Sequence, residues 1–559
     1  MGKHKIRGNS GFCISVGKAV RGSDILIQTL SDLKVPRLFT LSGNQIMSVF
    51  DASLNSDINL IHFRQEGAVV HAADTLGRLT GEPSIALVTA GPGFANCITA
   101  LYVALCAESP LVLISGHSQL SEQGKGAFQE MPQADMARAV TKASWTSTKP
   151  ENIRDDITKA YNLARTGRPG PVHVAVPEDV LKATVHVPEN NVLGKHSRPN
   201  SSPINKENLT ILVDALESSE RPVALVGQSI SRVGQKILSE VSTSTGLPVI
   251  DMESPRGIND PSLGAFAEIL PEADLVVLLG KKLDYSLKFG GDPALSKDSK
   301  IIHVDFEESA ISQSEKALAS SGRLILGSIG DPLKTVTGIQ DSKRLSVNHA
   351  WTTRVQESLD FTPGEWEQLA NLSTDGPLHP TAVCKPIQRL MENPNFIFVS
   401  DGGEFGQWTQ ACVSTPNRII NGPGGAIGAS IPAAIAARIS NPNATVIAML
   451  GDGSLGFHGI EFDTAVRYNL PFIAIIGNDA RWNAEYQIQL NDYGRERTIG
   501  CELSPTRYDL MVKALGGHGE NVENGPEFIP ALERAIDSGL PACINVAIQP
   551  ARAPIVRRS

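Results

Sequence analysis

The chain carries Gly451-Asp452-Gly453-Ser454 and, further on, Asn478-Asp479. Each group follows an apolar run, 445–450 in one case and 471–476 in the other. Carboxylates, an amide and a hydroxyl are hard oxygen donors, the kind that Mg²⁺ takes. Glycines let the backbone come close to a phosphate, and a helix starting here would aim its free N–H groups at it. The chemistry these residues would support is the anchoring of a diphosphate through a divalent cation. Gly-Asp-Gly alone is as often an ordinary turn as a site. The acidic and amide pair at a matching strand end is what favours the metal.

For Asp452 and Asp479 to meet over one cation, the two apolar runs must be neighbouring parallel strands, with a helix over 457–468 between them. In an open parallel sheet, ligands bind at the carboxyl ends of the strands. The same alternation recurs along the chain. Strands are predicted at 38–41, 59–63, 84–89, 110–115 and 170–177, giving a first domain over 20–184. A linker rich in Pro, Asn and Ser follows, 185–205. A second, smaller domain over 206–337 has strands at 222–227, 248–251, 275–280 and 300–305. After a second linker with a helix over 347–359, the third domain covers 378–550, from a strand at 396–400 to one at 542–547. The expected fold is α/β, with three doubly wound parallel-sheet domains.

Bulk composition agrees with an enzyme. The chain has 559 residues, 41% hydrophobic and 19% charged. Its net charge of −9 and lack of a basic run argue against nucleic acid as a partner. No apolar run is long enough for a membrane span. Residues 1–19 read as a loose extension, basic but without the apolar core of a secretory signal. The seven cysteines are scattered, with no Cys-x-x-Cys pair, which suggests reduced thiols and a cytoplasmic protein.

Two further groups stand at predicted strand ends. Glu66 lies in Arg64-Gln65-Glu66-Gly67-Ala68, where a strand gives way to a helix of small residues. Taken alone it is a favourable partner for the helix dipole. In the third domain, Asp401-Gly402-Gly403 and the glycine-rich stretch 421–428 follow the first strand.

These motifs, in this domain order, resemble the thiamine diphosphate enzymes, in the group of benzaldehyde lyase, 2-hydroxyacyl-CoA lyase and acetohydroxyacid synthase. The resemblance covers about 20–549. It implies pyrimidine-binding, middle and diphosphate-binding domains, with thiamine diphosphate and Mg²⁺ as cofactors. It implies metal ligation by Asp452, by the second residue of the 478–479 pair and by the main-chain carbonyl of Arg481. That second residue is Asp479 where the family has Asn, so Asn478 is an alternative ligand. Gly402, Gly403, Gly453 and Ser454 would line the cofactor. Glu66 would hydrogen-bond the N1′ nitrogen of the aminopyrimidine, the carbonyl of Gly425 would accept from its 4′-amino group, and Ile427 would prop the bent cofactor. In the family, Glu66 and the diphosphate site come from different subunits, which implies at least a homodimer and points to a homotetramer.

On the substrate side the resemblance implies Asn44, Gln45, Gln129, Trp482, Asn483 and Ala484. Benzaldehyde lyase has a functional His where this chain has Gln45, so proton shuttling would fall to Gln45, a water or the cofactor. The implied activity is carbon–carbon lyase or carboligase chemistry on a small carbonyl substrate: a 2-hydroxy ketone, a 2-hydroxyacyl compound or an aldehyde. The local reasons for the benzaldehyde lyase type are the stretches 459–467 and 541–547. Acetolactate synthase and 2-hydroxyacyl-CoA lyase are the alternatives. The middle sheet is of a type that holds a nucleotide, FAD or ADP, but no Gly-x-Gly-x-x-Gly follows its first strand, and Leu263-Gly264-Ala265-Phe266 departs from the flavin-binding pattern. A quinone-linked oxidoreductase would need a longer C-terminal helix. A non-catalytic subunit would have lost Glu66 or Asp452, and both are present.

Overall fold

Parallel strands are joined by crossover helices, which cover both faces of the sheet and demand apolar strands. The apolar runs meet that demand three times. The computed structural model describes residues 19–186, 201–342, 345–373 and 375–558, and each set of runs forms a parallel sheet between helices. The fold is α/β, with three doubly wound domains. The expected extension 1–19 lies outside the described residues except for Ala19, the first residue of a short strand, Ala19–Arg21. That strand pairs antiparallel with Thr184–His186.

The first sheet runs Asn59–His62, Arg37–Thr40, Ser84–Val88, Leu111–His117, Pro171–Pro177, Ala143–Thr146. The middle sheet runs Val249–Asp251, Pro222–Val226, Leu275–Leu279, Lys300–Asp305, Leu324–Ile329. The third runs Arg418–Ile419, Phe396–Ser400, Thr445–Gly451, Ile473–Asn478, Ala542–Ala547, His518–Val522. In each, the chain adds a strand on one side of its starting strand and then crosses to the other. That reversal opens a crevice at the carboxyl ends. It falls between Arg37–Thr40 and Ser84–Val88 in the first domain, and between Phe396–Ser400 and Thr445–Gly451 in the third.

The first and third domains share one core. The helices Glu66–Thr80 and Ser430–Ser440 pack through small residues, with Ala68, Ala72 and Ala73 in the same buried cluster as Ala433, Ala436 and Ala437. Alanine faces let two helix backbones approach closely and fix the register between the domains. The helix expected in the second linker forms as His349–Leu359 and caps the middle sheet. Its Trp351 and Val355 are buried in the middle core, and the Trp351 indole N–H donates to the Pro222 carbonyl at 2.9 Å. No described helix is long and apolar enough to cross a membrane.

Arg168, on the loop before Pro171–Pro177, reaches from the first domain to the carboxyl edge of the middle sheet. It is 5% exposed. It pairs with Glu108, Asp305 and Glu307 and donates to the Gly280 carbonyl at 3.1 Å. Asp305 is fully buried, and its carboxyl is held below the usual range by hydrogen bonding to His303 and by the Arg168 charge, against the opposing effect of burial. Removing one partner of a buried pair leaves the other charge without compensation. Arg168→Met is therefore expected to lower the unfolding free energy by about 3–5 kcal/mol, read as a shift in the urea midpoint of the transition involving the first and middle domains.

Candidate active site

In the third domain the helix expected over 457–468 begins earlier and is broken. Gly451 is extended (φ −74°, ψ 160°) and the helix starts at Asp452, running Asp452–His458, then through the tight turn Gly459–Glu461 to Phe462–Tyr468. The Asp452 side chain is 2% exposed. The amides of Gly453 and Arg481 face its carboxylate, but Oδ2 is buried without a hydrogen-bond partner. Asp479 stands at the end of the neighbouring strand. Burial pushes Asp452 up to about 6, and burial together with the Asp452 charge pushes Asp479 up to about 7. Two desolvated carboxylates facing each other, one with an orphaned oxygen, are relieved by a cation between them. These residues therefore fit a divalent metal. Among the described residues no third His, Cys, Asp or Glu joins them. The rest of an octahedral Mg²⁺ shell would come from backbone carbonyls, waters and phosphate oxygens.

The hydrogen bonds set Asn478 apart from Asp479. The Asn478 amide donates to the Thr506 carbonyl and to Asn545 Oδ1, both at 3.0 Å, and its Oδ1 accepts the Ala480 N–H at 3.1 Å. Its side chain is committed to holding the loop. The loop itself is pinned by Trp482 N–H to the Cys501 carbonyl at 2.8 Å and Leu503 N–H to the Ala480 carbonyl at 2.7 Å, neither of which uses the Arg481 carbonyl. The Trp482 ring lies over Gly453, where a Cβ would sit 2.7 Å from it. Ala484 and Asn483 open the helix Asn483–Tyr493, with Asn483 buried and bonded to the Ala551 carbonyl at 3.0 Å.

Across the crevice, Asp401 organises the glycine-rich loop. Its carboxylate accepts the N–H groups of Gly402 at 2.8 Å, Gly428 at 2.9 Å and Ser430 at 3.1 Å. This draws Ile427 onto Gly402 and leaves Gly403 (φ +79°) and Gly425 (φ +67°) in the left-handed region. A Cβ at Gly403, Gly425 or Gly451 would meet nothing within 4 Å. The backbone around Asp452 therefore borders open space that a ligand can use. Ser454 is buried inside the first helical turn.

The first domain carries the second group. Glu66 is the first residue of the helix Glu66–Thr80, and the Gln65 side chain caps it by accepting the Ala68 N–H at 2.9 Å. Asn96 Nδ2 donates to Glu66 Oε2 at 2.9 Å, and Gly93 lies against Oε1. Gln45 and Thr89 meet across the strand reversal, with the Thr89 hydroxyl donating to Gln45 Oε1 at 2.6 Å. Gln45 Nε2 in turn donates to Gln129 Oε1 at 2.9 Å. Gln129 has φ +59° and presses on Gly91, where a Cβ would be 2.7 Å from its carbonyl oxygen. Asn44 is exposed at the start of the same turn.

The expected site residues thus gather in two clusters, one per domain. Among the described residues no hydrogen bond runs between Glu66 and Asp452 themselves, but His458 links the two groups through the Gly428 carbonyl and Gln65. Cavities of about 710 and 730 Å³ lie elsewhere and are lined by neither Glu66 nor Asp452. Sequence reading missed Thr89, Asn96 and His458. His458 Nδ1 lies 2.7 Å from the Gly428 carbonyl and its Nε2 lies 3.2 Å from Gln65 Oε1. Thr89 and Asn96 flank the glycine turn 90–93, which was the available signal.

Comparison with known proteins gives matches of the same domain order. Models of the thiamine pyrophosphate enzyme match three times: the N-terminal TPP binding domain over residues 20–136, the central domain over 209–326 and the C-terminal TPP binding domain over 401–546. A probable acetolactate synthase of Mycobacterium bovis is 29% identical, covering 94% of this chain and 95% of the relative. A 2-hydroxyacyl-CoA lyase 2 of Caenorhabditis elegans is 28% identical, covering 97% and 90%. A 2-hydroxyacyl-CoA lyase of Arabidopsis thaliana is 27% identical, covering 95% and 96%.

Proposed function

The chain belongs to the thiamine pyrophosphate enzymes, and from that premise we propose a lyase/carboligase that breaks or makes the carbon–carbon bond of a 2-hydroxy ketone, a 2-hydroxyacyl compound or an aldehyde pair. The observation that carries the reading is the run of hydrogen bonds Thr89–Gln45–Gln129 at the strand reversal that also presents Glu66. Gln45, bonded through both its oxygen and its nitrogen, would hold Gln129, whose amide would meet a substrate carbonyl or its neighbouring hydroxyl. Neither titrates, so they bind and orient, and proton transfer falls to Glu66, to water and to the cofactor.

The bound cofactor would supply the electron sink for carbanion chemistry at its thiazolium ring. The chain's residues would divide the rest. Asp452, Asp479 and the Arg481 carbonyl would hold Mg²⁺. Asn478 would serve as the loop's anchor, since its amide is already spent. Gly402, Gly403, Gly453 and Ser454 would line the diphosphate and ring. Ile427, held by Asp401, would support the bend, and the Gly425 carbonyl would accept a hydrogen bond from the 4′-amino group. Glu66 would keep a proton at the pyrimidine N1′. Trp482 and Ala484 would border the substrate, with Asn44 at the rim.

A second copy of the chain would bring Glu66 to the partner's diphosphate site. Phe128 (71% exposed), Phe457 (52%) and Ile488 (57%), apolar side chains beside the site elements, support this. A dimer is the minimum and a tetramer the expected form. The reading includes no flavin or ADP, because no Gly-x-Gly-x-x-Gly follows the first middle strand and Leu263-Gly264-Ala265-Phe266 departs from the flavin-binding pattern.

An acetolactate synthase-type reaction, joining 2-keto acids with loss of CO₂, is the second reading, and a 2-hydroxyacyl-CoA lyase the third. The relatives' names favour them. A substrate panel on protein loaded with thiamine diphosphate and Mg²⁺ decides. Aldehyde released from a 2-hydroxy ketone such as benzoin supports the proposal. Acetolactate and CO₂ from pyruvate alone replace it with the second reading, and cleavage confined to a 2-hydroxyacyl-CoA replaces it with the third.

A further inference from the structure

The stretch 459–467 was a reason for the benzaldehyde lyase type, yet its polar side chains are spent elsewhere. They grip the segment that leads from the strand Asn59–His62 to Glu66. Both Glu461 carboxylate oxygens accept the Arg64 N–H, at 3.1 and 3.2 Å. Arg467 Nη2 donates to the His62 carbonyl at 2.7 Å, and the His62 N–H donates to the Tyr468 hydroxyl at 2.9 Å. Asp463 pairs with the Arg64 guanidinium at 3.2 Å and accepts from Arg467 Nε at 2.7 Å. The Thr464 hydroxyl donates to Glu461 and accepts from Arg467 Nη2 at 3.0 Å. Glu461 is fully buried.

Backbone groups must be satisfied somewhere once they leave the sheet. Here the His62 N–H, the His62 carbonyl and the Arg64 N–H are all satisfied by side chains of another domain. A surface loop needs no such arrangement, because water would serve. The arrangement fixes the four residues before Glu66 from outside their own domain. It is built on the helix Phe462–Tyr468, which continues the stretch that Asp452 opens.

We propose that Glu461, Thr464 and Arg467 are positioning residues for Glu66, holding the backbone from His62 to Gln65 so that the Glu66 carboxyl meets the cofactor's pyrimidine ring at a fixed place. This rests on the reading of Glu66 given above. A displacement of about 1 Å at such a group costs on the order of 100-fold in rate.

The test uses the full-length protein loaded with thiamine diphosphate and Mg²⁺. The rate at which the cofactor's thiazolium C2 proton exchanges with D₂O is measured by acid quench and NMR, without substrate. Amide hydrogen exchange over 62–68 is measured on the same proteins. Arg467→Met, partly exposed and less prone to unfold the chain, is expected to slow C2 exchange roughly 10–100-fold, to speed amide exchange at Arg64 and to leave cofactor affinity unchanged. Arg467→Lys, which keeps one donor for His62, is expected to recover part of the loss. Glu461→Gln keeps an oxygen for Arg64 and should fall between wild type and Arg467→Met.

A clamp that only glues the domains together would lower the melting temperature and leave C2 exchange native. Native C2 exchange in Arg467→Met and Glu461→Gln, with slow exchange in Glu66→Gln, overturns the inference alone. Loss of cofactor binding in Arg467→Met also overturns it, because the side chain would then be building the cofactor site. Native exchange in Glu66→Gln overturns the reading of Glu66 and the inference with it.

Discussion

Glu66→Gln is expected to lower kcat by about 10²–10⁴-fold, the contribution of one well-placed proton-transfer group, while the protein stays folded. The amide has the same shape as the carboxyl and still offers an oxygen to Asn96 Nδ2, which now lies 2.9 Å from Oε2. What it cannot do is hold or return a proton at a ring nitrogen. The cost to folding is small. Glu66 stands in the first turn of its helix, where a negative charge is worth about 0.3–1 kcal/mol through the helix dipole. The expected signature is a large fall in kcat, a KM near wild type and a melting temperature within a few degrees. A fall in kcat and kcat/KM together marks an interaction made only in the transition state. Activity within threefold of wild type, on whichever substrate the panel identifies, would remove Glu66 from the chemistry. The control is Asn96→Ala, which leaves the carboxyl but frees it to turn. Its effect should be smaller than that of Glu66→Gln, and it should be larger on kcat than on KM.

The fold was legible where apolar runs are continuous, and the reason is burial on both faces. Strands such as Ser84–Val88, Leu275–Leu279 and Thr445–Gly451 lie at sheet centres, where nearly every residue is buried. The strands that escaped sequence reading are edges or near-edges. Leu324–Ile329 alternates between half-buried and exposed, and His518–Val522 reads His-Gly-Glu-Asn-Val, a polar string that pairs only on one side. Arg418–Ile419 is two residues long. None has the periodicity that marks a central strand, because only one face or one edge meets the core.

The candidate site was legible as motifs and much less so as contacts. Asp452, Asp479 and Glu66 stand out because charged residues at the ends of apolar runs need a reason to be there. Gln45 and Gln129, 84 positions apart, meet only because the strand order reverses between Arg37–Thr40 and Ser84–Val88. No local pattern encodes that meeting. The contacts of the stretch 459–467 are equally hidden from local pattern, since its partners are the backbone of another domain. The Asn478 side chain is likewise engaged at a distance, with Thr506, Asn545 and the Ala480 N–H.

Asp452→Ala is expected to abolish the stabilisation that thiamine diphosphate and Mg²⁺ give the protein, and with it all turnover. A ligand present at about 100 times its Kd stabilises the folded state by about 2.7 kcal/mol, so wild type should show a clear upward shift in melting temperature that the variant lacks. Asp479→Asn should behave differently. It keeps an oxygen for the metal and removes one of two charges that repel across the site. The pH dependence separates the two carboxylates from any other cause. In the metal-free protein, Asp452 is pushed up to about 6 and Asp479 to about 7. Both lie above the unfolded value near 3.8, so the folded state binds more protons than the unfolded state between roughly pH 4 and 7. Stability from these groups is present at low pH and is lost as pH rises through 6 to 7, when two buried charges face each other without a cation. Mg²⁺ requires both deprotonated, so its affinity should rise over the same interval. The melting temperature of the metal-free protein should therefore fall between pH 5 and 8, and added Mg²⁺ should restore it at pH 8 far more than at pH 5. Asp479→Asn should flatten the metal-free curve by removing the higher of the two titrations, leaving Asp452, held up near 6 by its burial, to titrate alone. A wild-type curve that is flat with and without Mg²⁺ would place the cation somewhere other than between these two strands.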